Sequence, residues 1–163
     1  MVELSHWRDV VVPQRNYTGC IPTGFEWLIR YLRVESIDLE TFQDDFDLQL
    51  SGQDMNNFES VSSAVRRKYP QINIRIRDFP TGREKVDFVS RLVEKDIPCL
   101  LSIANTPKGG SWHIVPVVSV DDTKIKVIWT GNQTQEFTIV DVTSRHDNWI
   151  GGKDIAWIER RES

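Results

Sequence analysis

The sequence predicts an α+β fold with a helical front half packed on an antiparallel back-half sheet. Before residue 95 the apolar residues recur mainly at helical spacing; after Ile97 they fall into short runs of strand length. The two kinds of segment are segregated along the chain, whereas a parallel α/β fold would alternate them.

In order, Ile21, Phe25, Leu28, Ile29 and Leu32 have helical spacing, and Pro22 is tolerated only in a first turn, so a helix starts near Cys20. Leu39, Phe42, Phe46 and Leu50 predict a second helix, and Phe58, Val61, Val65 and Tyr69 a third that stops before Pro70. Ile72, Ile74 and Ile76 alternate with polar residues, as in a half-buried strand. Val86, Val89 and Val93, with Phe88 and Leu92, form one face of a helix over about 82–95. Strands follow at 98–104, 112–120, 124–129, 134–139 and 154–159, and Asp121 to Lys124 is the turn of a hairpin. No repeat, low-complexity tract or linker divides the chain, so residues 1–163 read as a single domain.

Composition excludes several classes of function. With 20 Lys+Arg against 24 Asp+Glu, scattered throughout, no basic stripe fits a phosphate backbone, so nucleic acid is not an expected partner. The longest apolar runs are far short of the roughly 20 residues needed to span a bilayer. The N-terminus lacks the charged start and apolar stretch of a secretory signal, which predicts a cytoplasmic location, and the short approach from Met1 to Gln14 predicts no inhibitory prosegment. Two cysteines cannot build a disulfide framework, and no His/Cys/Asp spacing matches a metal site. Gly151-Gly152 lacks the spacing of a phosphate loop, so neither a metal nor a cofactor is expected.

Reactivity is the better use for a cysteine here. Cys20 stands where the first helix begins, and a helix N-terminus favours the thiolate, lowering its pKa from an ordinary value of about 8.5. The plainer alternative is a small buried hydrophobe. Gln14, across a Tyr-Thr-Gly turn, could fold its amide back beside the sulfur, where oxyanion stabilisation needs a donor. Downstream, Gly109-Gly110-Ser111-Trp112-His113 opens the apolar strand Ile114–Val118, so that His113 at the strand mouth can serve as the base that activates a thiol. Alone, such a histidine is more often a structural residue.

Gln14 and Cys20 at a helix start, followed much later by Gly-Gly-Ser-Trp-His113 leading into a hairpin, resemble the papain-like cysteine peptidases. Among these the pattern is most similar to compact bacterial peptidases related to those that process double-glycine leaders, and it extends from about Val11 to Trp129. The resemblance implies a papain-like fold with its active site where the helical and sheet halves meet. It also implies Cys20 as nucleophile, His113 as general base and later acid, and Gln14 as oxyanion donor, acting on a peptide or protein substrate. In the family an Asp or Asn about sixteen residues after the histidine orients it, but here that position holds Trp129, whose side chain cannot do so.

Hairpin counting offers a substitute. Pairing Val120 with Ile125 and counting outward puts Asn132 opposite His113, where its amide oxygen could fix the imidazole tautomer, unless a bulge at Gly131 breaks the register. Cys99 reads as a core residue, His6 as peripheral, and His146 with Asp147 as part of a polar loop that could instead be a second base pair. The leading expectation is therefore a cysteine peptidase working through a thioester. Its alternatives are a catalytically weak module that binds peptides or a protein partner, and an acyl or peptidyl transferase using the same Cys-His site. Substrate sequence and oligomeric state stay open.

Overall fold

A computed structural model of the chain describes residues 1–13, 20–46, 58–148 and 153–159. The first long helix, α1 (Cys20–Leu32), starts where the sequence placed it and is buried on almost every side, including Phe25, Trp27, Leu28 and Ile29. Helix α2 (Phe42–Asp45) is the described part of the second predicted helix; the expected continuation to Leu50 lies outside the described residues. Helix α3 (Phe58–Lys68) and helix α4 (Gly82–Glu94) match their predicted spans closely. The Thr81 hydroxyl caps α4 by accepting the Glu84 N–H at 3.2 Å.

The strands are β1 (Val2–Glu3), β2 (Asn73–Asp78), β3 (Cys99–Thr106), β4 (Gly109–Val120), β5 (Lys124–Thr130), β6 (Gln133–Thr138) and β7 (Asp154–Glu159). They form one antiparallel sheet in the order β2-β7-β3-β4-β5-β6, with β1 paired to the far end of β4. Strand β3 is buried at every residue from Cys99 to Ala104, which requires cover on both faces. Helices α1 and α4 supply part of that cover. Gly24 lets α1 approach closely, because a Cβ there would come within 2.9 Å of the Leu100 side chain. No helix among the described residues is long and apolar enough to cross a membrane.

Two expectations are corrected. First, the chain from Ile139 to Asn148 is a helix, α5, where the sequence was read as the end of a strand and then a polar loop. Its buried stripe is Val142, Arg145 and His146, so the helical period is carried by polar residue types that a hydrophobicity pattern skips. The Thr138 hydroxyl accepts the Asp141 N–H at 3.0 Å, a cap that does mark the start in the sequence. Second, the β4–β5 register counted from Val120 and Ile125 does not persist. Ser119 still faces Lys126, but Val117 faces Val127, because β4 carries an extra residue between Val117 and Ser119. Backbone pairing of β4 with β5 stops there, next to Pro116, which has no N–H to offer a ladder.

Candidate active site

Cys20 is the first residue of α1 and is partly buried. The backbone N–H groups of Ile114, Cys20 and Ile21 act on its sulfur in the direction that favours the thiolate. The first comes from β4 and the others from the helix start, so the thiol stands at the junction of the helical and sheet halves. The expected lowering of its pKa is not what the structure gives. Burial pushes the Cys20 thiol up, and the three N–H groups oppose this without cancelling it. The helix-terminus argument considered only the helix, whereas desolvation comes from distant segments packed around the sulfur.

His113 lies within β4, opposite Ile103 of β3, rather than at the strand mouth. Its Nε2 is 2.6 Å from the backbone carbonyl oxygen of Trp129. A carbonyl only accepts, so Nε2 carries the proton and Nδ1 is left as the basic nitrogen. The Trp129 indole stands edge-on to the imidazole, 4.6 Å between ring centroids. Thus the residue sixteen positions after His113 meets the imidazole through its main chain rather than its side chain. The gap between β4 and β5 beyond Val117 is what the imidazole spans to reach it.

Asn132 is not opposite His113 in the way the hairpin count required. Its Oδ1 accepts the Val12 N–H at 3.0 Å and its Nδ2 donates to the Val12 carbonyl at 3.3 Å. Both halves of the amide therefore grip the segment that leads toward Gln14. Gln14 itself lies outside the described residues. The same segment is held from the helical side, where the buried Gln43 donates to the Pro13 carbonyl at 2.9 Å and to Glu26 at 3.3 Å. Glu26, also buried, is neutralised by Arg30 at 2.9 Å. Sequence reasoning missed Gln43 and Glu26 because isolated polar residues in amphipathic segments are ordinarily placed on the solvent side.

Cys20 and His113 line one cavity of about 200 Å³, walled by Val12, Trp27, Ile128 and Trp129 among others. The other histidines stand elsewhere. His6 stacks on Tyr31 at 4.0 Å, at the opposite end of α1 from Cys20. His146 is buried and donates from Nε2 to the Phe79 carbonyl at 2.8 Å, while Asp147 accepts the Gly82 N–H at 2.7 Å, so that pair joins α5 to the start of α4. Cys99 is fully buried in β3, which pushes its thiol up to about 12. Asp121 closes the β4–β5 turn by accepting from Thr123 and Lys124. Among the described residues, no three His, Cys, Asp or Glu side chains cluster in a way that could hold a metal ion.

No protein-family model matches the sequence, and no curated protein matches it significantly. Among solved structures, the chain is similar to the crystal structure of a proposed C39-like peptidase from Bacillus anthracis, with a TM-score of 0.66 at 11% identity, covering 99% of this chain and 98% of that one. The two proteins share a fold. A helix packed against an antiparallel sheet is therefore an architecture common to both along nearly their full lengths.

Proposed function

We propose that this chain is a cysteine peptidase of the papain-like type. The observation that carries the reading is that Cys20, at a helix start, and His113, with its tautomer set by the Trp129 carbonyl, line the same cavity. A partly buried thiol whose pKa is pushed up needs a base at the moment of attack, and Nδ1 of His113 is the candidate. In the proposed reaction the Cys20 sulfur attacks the peptide carbonyl carbon as its proton passes to His113. The oxyanion is held by the Cys20 N–H and the Gln14 amide. Collapse breaks the C–N bond, His113 returns the proton to the leaving amine, and water then hydrolyses the thioester, giving up its proton through the same imidazole.

Incubation with an unbiased peptide mixture, read by mass spectrometry, tests this. New cleavage products should appear with the wild type and be absent with Cys20→Ala, while His113→Ala should lower turnover by roughly 10²–10⁴-fold. Cleavage that survives Cys20→Ala contradicts the assignment. A second reading, a peptide-binding module with the same cleft, is favoured by one observation, the upward push that burial gives the thiol. It predicts peptide retention without cleavage.

A further inference from the structure

At the far end of α1 from Cys20, about 18 Å away by the rise of the helix, lies a larger cavity of about 750 Å³. Volumes of roughly 300–1,000 Å³ are those of pockets that hold small molecules. The cavity opens where the ends of α1 and α4 meet β7, and its walls include Tyr31 and Arg33, Lys95 and Asp96, and Trp157 with Glu159. Neither Cys20 nor His113 lines it.

Its polar groups divide into those with a partner and those without. On Oδ1, Asp96 accepts the Ser5 N–H at 2.8 Å and the Tyr31 hydroxyl at 2.5 Å, and on Oδ2 the Ser5 hydroxyl at 2.9 Å. Glu159 accepts from Arg75 at 2.7 Å. Carbonyls at both helix ends, which would draw a cation, are answered too. His6 donates from Nε2 to the Tyr31 carbonyl at 2.9 Å, and the N–H groups of Asp96 and Ile97 donate to the Val93 and Leu92 carbonyls, each at 2.9 Å. Arg33 and Lys95 stand apart: both are exposed, and neither side chain has an ion-pair or hydrogen-bond partner among the described residues. The uncommitted charge of the cavity is therefore positive.

The backbone supplies an independent observation. Among the described residues, Arg33 and Asp96 are the two other than glycine with positive φ, 54° and 60°. This left-handed conformation is disfavoured for a residue with a Cβ, and a helix end that needs it ordinarily takes glycine. At Asp96 the bonds to Ser5 and Tyr31 offset the strain. At Arg33 nothing among the described residues does, so an arginine is held at the cavity against its backbone preference. Residues kept in such conformations cluster at ligand sites. Flat rings complete the walls: Tyr31, stacked on His6 with 4.0 Å between centroids, and the half-buried Trp157.

We propose that this cavity binds a small organic anion, with a carboxylate or phosphate group held by Arg33 and Lys95 and a flat apolar body against Trp157. Such a ligand supplies the counter-charge that both cations lack, through charge-assisted hydrogen bonds, and removes its apolar part from water. The proposal does not depend on the cysteine-peptidase reading, since neither Cys20 nor His113 takes part.

Isothermal titration calorimetry with phenyl phosphate, benzoate, inorganic phosphate and benzylamine tests it. Phenyl phosphate or benzoate should bind in the millimolar range or tighter, the tighter of the two identifying the acidic group, and affinity should fall as ionic strength rises. Arg33→Asn, which tolerates the left-handed backbone, and Lys95→Gln should each weaken that binding roughly tenfold. Both residues are exposed, so thermal unfolding of the two variants should match the wild type and the loss should report on the site alone. Inorganic phosphate should bind more weakly than phenyl phosphate, and benzylamine not at all. The assignment is overturned if neither aromatic anion binds at millimolar concentration, if neither variant weakens the binding, or if inorganic phosphate or benzylamine binds as tightly.

Discussion

The imidazole Nε2 of His113 is held by the main-chain carbonyl of Trp129, 2.6 Å away. Because the acceptor belongs to the backbone, any side chain at position 129 retains it. The indole adds shielding, standing edge-on to the imidazole. Trp129→Phe should therefore keep activity within a few-fold, whereas Trp129→Ala admits water to the hydrogen bond and should lower kcat/KM by roughly tenfold, about 1.4 kcal/mol. Steady-state kinetics on a cleaved peptide check this. Equal losses from both variants would show that shielding is not the indole's contribution.

Asn132 acts on Val12 rather than on the histidine. Removing its amide leaves the Val12 N–H and carbonyl without that partner, so Asn132→Ala should destabilise the fold by roughly 1–3 kcal/mol. Asn132→Asp, which can accept from Val12 but not donate to it, should fall between. Urea unfolding measures both. The pH dependence of Cys20 reactivity should be the same as in the wild type; a shifted profile with unchanged stability would return Asn132 to the orienting role.

Lys85 is 1% exposed on α4, donates to the Ser102 carbonyl, and has its pKa pulled down to about 7, chiefly by burial. An unfolded lysine titrates near 10.4, so between about pH 7 and that value the unfolded chain binds the extra proton. Stability should therefore rise with pH across this window by up to about 1.4 kcal/mol per pH unit, and the full cost of the buried charge should be felt below pH 7. Subtracting the pH profile of Lys85→Met unfolding from that of the wild type should expose this slope. A flat difference would show that the ammonium is solvated in the native state.

Gly24 is a packing requirement. A methyl group there would lie 2.9 and 3.0 Å from the two terminal carbons of the buried Leu100 side chain. Gly24→Ala should force α1 away from β3 and cost roughly 1–3 kcal/mol despite the better helix propensity of alanine. Thermal unfolding decides the sign. A stabilised variant would mean that Leu100 repacks without strain.

Much of this architecture was legible in the chain because its elements carry their own periodicity. Ile21, Phe25, Leu28 and Leu32 mark α1, and the continuous apolar run into β3 marks a strand covered on both sides. Helix α5 was not, since Arg145 and His146 occupy positions where the pattern looks for aliphatic residues. Cys20 and His113 were singled out by position relative to their elements, and the two line one cavity. The contact between His113 and Trp129 escaped notice for a different reason. Residue types describe side chains, and Trp129 contributes a carbonyl that every residue possesses. The single extra residue between Val117 and Ser119 then invalidated the count toward Asn132, a change that no local composition announced. The upward push on the Cys20 thiol was equally hidden, because it arises from segments brought together only by folding.

Activation of Cys20 by His113 is read out by the rate of Cys20 alkylation by iodoacetamide, followed by intact mass from about pH 6 to about pH 10 in the wild type and in His113→Ala. Cys99, buried in β3, should stay unmodified in the folded protein and so report any unfolding. With His113 present, Cys20 should react at neutral pH. Without it, reaction should retreat to the alkaline range above the ordinary cysteine value of about 8.5, because burial then acts on the thiol unopposed by the imidazole. Superimposable profiles for the two proteins would contradict the pairing of Cys20 with His113 and the catalytic account built on it.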